Sequence, residues 1–263
     1  MADWIPYLAV NSAGLTSFAV AWLVARRGPR SALMVAAAAL ILLVAKAVLT
    51  WLPVWEASCF PFGWYIYLQS YWSPLIGLAF FGLAIPQLPV AWNRVAVALI
   101  AAGVFVFGAQ RTWWMVSRPT LGDERAPNAV HHLTQSTGYT CAPCAAAIAV
   151  SYVGIQVSER TMADRCLTIA DQGTTPFNTY RGLILTLAGS PWRARMAYVA
   201  PAMLCESGRV AVIDFPDIRH AITTVGNGSG VTLHDPLRHQ PLALSQEDLA
   251  ERYGGTAILI EFR

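Results

Sequence analysis

Four long apolar runs fill the first 117 residues, more hydrocarbon than a soluble domain of that size can bury. Trp4–Ala25 carries no charge and, as a helix, rises about 33 Å, enough to cross the core of a bilayer. Arg26, Arg27 and Arg30 follow this run instead of preceding it, the reverse of a cleaved signal peptide. Ser31–Leu52 is the second run; its one charge, Lys46, is near enough to the end to snorkel. Pro53–Trp72 is rich in Trp, Tyr, Phe and Pro and reads as an interfacial segment. Ser73–Trp92 is weakened by Pro86 and Pro89 and is expected to be short, kinked or partly re-entrant. Arg94–Trp114 ends in an aromatic pair at Trp113 and Trp114. The expectation is a transmembrane domain over 1–117, with helices at 4–25, 31–52, 73–92 and 94–114 in contact with lipid.

Arginine orients these spans. The first connection carries Arg26, Arg27 and Arg30, the third carries Arg94, and the second carries only Glu56. By the positive-inside rule the first and third connections are cytoplasmic. Both termini then lie outside the cytoplasmic membrane of a multi-pass protein, and so does everything after the last span. No acid falls inside any of the four spans, so a transport pathway has no support and anchoring is the plainer role.

After residue 117 the chemistry becomes that of a soluble protein. Ser117–Ala129 is polar, with Pro119 and Pro127, so 118–128 reads as a linker and 129–263 as a separate domain. Helices are expected over Cys141–Val153, from Ser158 to about Ala170, and from about Asn178 to Ala188. Then the pattern alternates: strands at Trp192–Val199, Arg209–Phe215, Arg219–Val225, Val231–His234 and Thr256–Phe262, with a short helix at Pro201–Ser207. Gly226–Gly230 is a hairpin turn, and Ser245–Asp248 opens a last helix that stops at Gly254. Helices first and antiparallel strands after them define an α+β domain.

Cys141 stands where the first of these helices begins. Pro143 is tolerated in the first turn, and the unpaired amides and dipole there favour a thiolate over a thiol. Gln135, six residues upstream, is placed to turn its amide toward the same point and bind an oxyanion. His220 sits in a strand joined through the glycine turn to the strand that ends at Asp235. A tight hairpin sets these two elements side by side, so the carboxylate can orient the imidazole and the imidazole can serve the thiol. His234 neighbours Asp235 in sequence, but adjacent strand residues point to opposite faces, which disfavours it as the base.

Gln135, five residues, Cys141-Ala142-Pro143, and then His220 and Asp235-Pro236 resemble the bacteriocin-processing papain-like cysteine peptidases, which remove leaders after a double glycine. The resemblance covers about residues 129–263. It implies a papain-like fold, with Cys141 as nucleophile, His220 as general base, Asp235 as orienting residue and Gln135 as oxyanion donor. Thr140 and Ala142 stand where that family usually has Asp and Gly. Members fused to exporters carry six spans and an ATPase, and this chain has neither. Its one lysine, Lys46, lies in a span, which excludes a phosphate-binding loop of the Gly-rich, lysine-containing kind.

The expected activity is therefore a membrane-anchored cysteine endopeptidase acting on a peptide or protein, with no cofactor and no metal. A non-catalytic peptide-binding scaffold at the membrane is the alternative. Cys141-Ala-Pro-Cys144 raises a third, thiol–disulfide exchange, but no βαβ pattern precedes it; Cys144 reads as core or as a partner of Cys166. His131, His132, His234 and His239 are too irregularly spaced for a metal site and read as surface residues. With a net charge of +3 and scattered arginines, nucleic acid is not an expected partner.

Overall fold

The computed structural model describes residues 4–69, 71–215 and 220–263. They divide into two compact units: residues 1–56 with 64–118, and residues 119–263 with Ala57–Gly63.

The first unit is helical. It holds α1 (Trp4–Ala25), α2 (Pro29–Trp51), α4 (Tyr65–Gln69), α5 (Trp72–Ala84) with a 3-10 turn at Ile85–Gln87, α6 (Ala91–Thr112) and α7 (Trp114–Ser117); α3 (Pro53–Cys59) begins in it. Among the described residues three helical stretches are long and apolar enough to cross a membrane: Trp4–Ala25, Pro29–Trp51 and Ala91–Ser117. The segment expected at 73–92 is shorter. Its 13-residue α5 rises about 20 Å before the 3-10 turn takes over at Pro86, and Val90 is already extended. Gln87 donates to the Ala25 carbonyl at 3.0 Å, while Trp113 packs edge-on against Trp4 and Tyr7. The end of α5 thus meets the end of α1, and the end of α6 meets the start of α1. Arg26 and Arg94 line one cleft at the first of these ends.

Small residues let α1 and α5 approach. A Cβ on Gly82 would collide with the Phe18 carbonyl, and one on Gly14 would lie 2.6 Å from the Tyr71 hydroxyl. Lys46 does not snorkel. Its ammonium pairs with Glu56 at 2.5 Å, and the same carboxylate oxygen accepts from the Tyr65 hydroxyl at 2.6 Å. Glu56 is 1% exposed, so both charges find protein partners rather than water.

The second unit is α+β. Its helices come first: α8 (Cys141–Ser151), α9 (Glu159–Arg165) and α10 (Pro176–Leu187). Ser158 and Thr175 cap the last two, accepting from the Thr161 and Asn178 amides. The α9 helix stops five residues earlier than the sequence pattern suggests, because Leu167 turns to φ 53° and Ile169 bridges to Gly173. The sheet follows, built from β1 (Trp192–Tyr198), β2 (Val210–Phe215), β3 (His220–Gly226), β4 (Gly230–His234), β5 (Leu242–Ser245) and β6 (Thr256–Phe262). Between them lie α11 (Pro201–Leu204) and α12 (Gln246–Arg252). All pairings are antiparallel, in the order β1-β6-β2-β3-β4-β5. Arg219, expected to open β3, lies outside the described residues. The edge strand β5 went unpredicted; it is largely exposed, so burial imposes no alternation on its sequence.

The alanine-rich α8 is the core helix, buried from Ala142 to Ser151. It lies on one face of the sheet, where the Thr223 hydroxyl donates to the Ala145 carbonyl. The opposite face closes over a cluster that includes Leu204, Ile213, Ile222, Leu233, Leu249 and Leu259. A helix flanked by sheet and by other helices needs small, uniformly apolar side chains, and the Ala145–Ala147 run supplies them.

Candidate active site

Three elements deliver the site. Cys141 is the first residue of α8, and its N–H precedes the helix's first intrahelical bond, from Cys144 N–H to the Thr140 carbonyl at 3.0 Å. His220 is the first residue of β3. Asp235 follows directly on β4, and the β3–β4 hairpin is fixed by the pairing of Thr223 with His234. The turn itself is set by Asn227, whose side-chain oxygen accepts from the Ser229 and Gly230 amides.

Strand alternation separates the two histidines. His234 pairs with Thr223, on the α8 side of the sheet, and its Nε2 hydrogen-bonds the Tyr152 hydroxyl at 2.7 Å. Asp235 takes the other direction, and its Oδ1 meets His220 Nε2 at 2.6 Å. That leaves His220 Nδ1 for the thiol, and the imidazole is close enough to Cys141 to act on its ionisation. Asp235 is itself held: Oδ1 also accepts from Leu237 N–H at 2.9 Å, and Arg238 lies 3.4 Å from Oδ2. The structure therefore brings Cys141, His220 and Asp235 together, with His220 hydrogen-bonded to Asp235.

The electrostatics follow from that arrangement. Burial works against a thiolate at Cys141, but the His220 imidazole and the Ala221 and Ala142 amides outweigh it and bring the thiol below its ordinary value. Burial also opposes charge on His220, yet Asp235 and the Cys141 sulfur raise it to about 9. For Asp235, burial is again outweighed, here by His220, the Leu237 amide and Arg238, and its carboxyl titrates below the usual range. All three shifts favour a thiolate–imidazolium pair steadied by a carboxylate. Burial, together with His132 and His131, pushes His234 down to about 4, so it is neutral and unsuited to the base's role.

Gln135 enters through its backbone. Its N–H donates to the Pro236 carbonyl at 3.0 Å, tying it to the turn that carries Asp235. Its side-chain amide donates one hydrogen to the Thr137 carbonyl at 2.7 Å, and its oxygen is buried without a partner among the described residues. The second amide hydrogen is left for another acceptor.

One expectation needs correction. His132 and His234 are not surface residues: they are 5% and 1% exposed, and His132 Nε2 hydrogen-bonds the Arg238 carbonyl. They are drawn in by packing around Tyr152, which stacks on His131 and meets His234 edge-on. Among the described residues no group of three or more His, Cys, Asp or Glu could hold a metal ion. Cys144 lies in the core, one of the two places expected for it, and both it and Cys166 are free thiols. Burial and the nearby Glu159 carboxylate drive Cys144 far above the ordinary thiol range, the opposite of what thiol–disulfide exchange requires. Sequence reasoning missed Glu159 itself. It is 0% exposed, and the sequence marks it only as an acid in the first turn of a helix.

No protein-family model matches the sequence, and neither does any curated protein. Solved structures do. A double glycine motif protease from an AMS/PCAT transporter, in complex with the leader peptide, is 15% identical with a TM-score of 0.43, covering 54% of this chain and 95% of that one. The peptidase domain of Streptococcus ComA, a bi-functional ABC transporter involved in a quorum sensing pathway, is 16% identical with a TM-score of 0.42, covering 50% and 97%. The N-terminal peptidase C39 like domain of a toxin secretion ATP-binding protein from Vibrio parahaemolyticus is 18% identical with a TM-score of 0.37, covering 49% and 100%. Over about half its length, the chain is similar in structure to double-glycine peptidase C39 domains of ABC transporters.

Proposed function

We propose that this protein is a membrane-anchored cysteine endopeptidase. The observation that carries the reading is the His220–Asp235 hydrogen bond at 2.6 Å beside the Cys141 thiol, whose ionisation that imidazole favours. Cys141, as thiolate, attacks the carbonyl carbon of a peptide bond. The carbonyl oxygen becomes an oxyanion, held by the Cys141 N–H and the free hydrogen of the Gln135 amide. As the C–N bond breaks, His220 gives its proton to the leaving amine and a thioester forms on Cys141. His220, now neutral, takes a proton from water; the resulting hydroxide equivalent attacks the thioester and releases the acid. Asp235 holds the imidazole in place and stabilises its cationic form throughout.

The three long helices anchor this domain in the cytoplasmic membrane. Arg26 and Arg27 in the first connection, and Arg30 and Arg94 in the first turns of α2 and α6, lie at one end of the helical unit, and the positive-inside rule places that end in the cytoplasm. The chain leaves α6 at the other end, so the peptidase domain emerges on the extracytoplasmic side. The substrate is then a secreted or membrane-delivered peptide.

The test is proteolysis of a peptide library by the purified full chain. Cleavage that disappears with Cys141→Ala, while the variant melts like the parent, supports the reading. Undiminished cleavage by that variant refutes it.

A further inference from the structure

The Glu159 carboxylate is sealed from solvent, and amide groups take up both of its oxygens. Oε1 accepts from Ser136 N–H at 2.8 Å and Oε2 from Asp123 N–H at 3.1 Å. The Cys144 thiol, one turn beyond Cys141 on α8, lies beside the same carboxylate. The backbone repeats the attachment, with Glu159 N–H on the Arg125 carbonyl and Arg160 N–H on the Asp123 carbonyl, both at 2.9 Å. A buried carboxylate gives up its hydration, and an apolar side chain of similar volume would fill the space without that cost. What the apolar side chain could not do is gather three segments that are remote in sequence.

One of those segments carries Gln135. The residue's own N–H is held by Pro236, beside Asp235, and the next N–H along, that of Ser136, is held by Glu159. The Gln135–Ser136 backbone is thus gripped from two sides, once from the sheet and once from the helices. Charge-assisted bonds to backbone N–H groups are roughly twice as strong as neutral ones, so the grip on Ser136 depends on the carboxylate's charge.

We propose that Glu159 is a positioning residue: it holds the Gln135–Ser136 backbone against α8 so that the Gln135 amide faces the oxygen that becomes negative when Cys141 attacks. This rests on the peptidase reading, with Gln135 as oxyanion donor. Glu159 touches no reacting atom and acts through Gln135 alone.

Two reactions at Cys141 separate this role from general support of the fold. Alkylation by iodoacetamide needs only the thiolate, whereas acylation by p-nitrophenyl acetate passes through a tetrahedral oxyanion. Both are run on the full chain in detergent, with Cys59→Ala to remove the exposed thiol. Glu159→Gln keeps the size and loses the charge. It should slow ester acylation roughly 10- to 100-fold, less than the loss of a whole oxyanion donor. Alkylation should stay within about twofold, which also shows that the Cys141–His220 pair is intact. In a Gln135→Ala background, adding Glu159→Gln should cost nothing more, because the donor that it positions is gone. Equal slowing of both reactions, or a loss undiminished in that background, overturns the positioning role. A parent chain whose Cys141 alkylates yet never forms an acyl-enzyme overturns the peptidase reading, and the positioning role with it.

Discussion

Asp235→Asn removes one charge from the site and leaves its shape. The side chain keeps an oxygen for Leu237 N–H and sits in the same pocket beside His220. With the imidazolium and carboxylate charges about 4 Å apart and an effective dielectric near 20, their attraction is roughly 4 kcal/mol. The rise of His220 from 6.5 to about 9 corresponds to about 3 kcal/mol, so the carboxylate is large enough to account for most of it. Without that charge, His220 should titrate near or below its ordinary 6.5 and be largely neutral at pH 7.5. Cys141 then loses the cation that favours its thiolate and moves back up toward the ordinary thiol range. The assay is the rate of iodoacetamide alkylation at Cys141 against pH, followed by peptide mass on a Cys59→Ala background. In the parent, alkylation should already be fast near neutrality and change character only as His220 deprotonates around pH 9. In Asp235→Asn, the rate at pH 7 should fall by about tenfold or more, each pKa unit being a factor of ten below the midpoint. A superimposable pH profile in the variant would refute the argument that the carboxylate sets the state of the pair.

Three further outcomes follow from the same contacts. Replacing Cys141 by Ala should change stability by less than about 0.5 kcal/mol, since the thiol is partly exposed at a helix start and Ala is a good helix former; a melting curve checks this. His234 should make the fold acid-sensitive. The unfolded chain takes up a proton near pH 6.5 that the folded one refuses until about pH 4, so its contribution is present above 6.5 and lost as pH falls toward 4. The loss amounts to about 3 kcal/mol at most, and urea melts at pH 7 and pH 4.5 should show it in the parent and much less in His234→Gln. In the helical unit, Gly82→Val puts a side chain where the Phe18 carbonyl stands, which should destabilise that unit by about 1–3 kcal/mol in thermal melts in detergent.

Much of this molecule could be read in its sequence because local rules governed it. Ser158 and Ser245 predicted helix starts, and both side chains do accept capping hydrogen bonds. The period of two along β4 predicted that His234 and Asp235 face apart, and they bond Tyr152 and His220 respectively. What escaped was set by contacts distant in sequence or by the absence of any pattern. Glu159 reaches residues 23 and 36 positions away, and no local signal announces that. Lys46 reads as a snorkelling residue in the sequence because its partner Glu56 lies on a different helix. Pro86 and Pro89 warned that the third apolar segment was weak, but only the fold shows where α5 ends and a 3-10 turn replaces it.

Covalent capture of the nucleophile reaches the central claim most directly. The full chain is mixed with a peptidyl acyloxymethyl ketone, digested, and mapped by mass spectrometry. The adduct should sit on the Cys141 peptide and fall to background with His220→Ala. Labelling that persists at Cys141 without His220, or that falls instead on Cys144 or Cys59, would contradict the assignment of this thiol and imidazole as nucleophile and base.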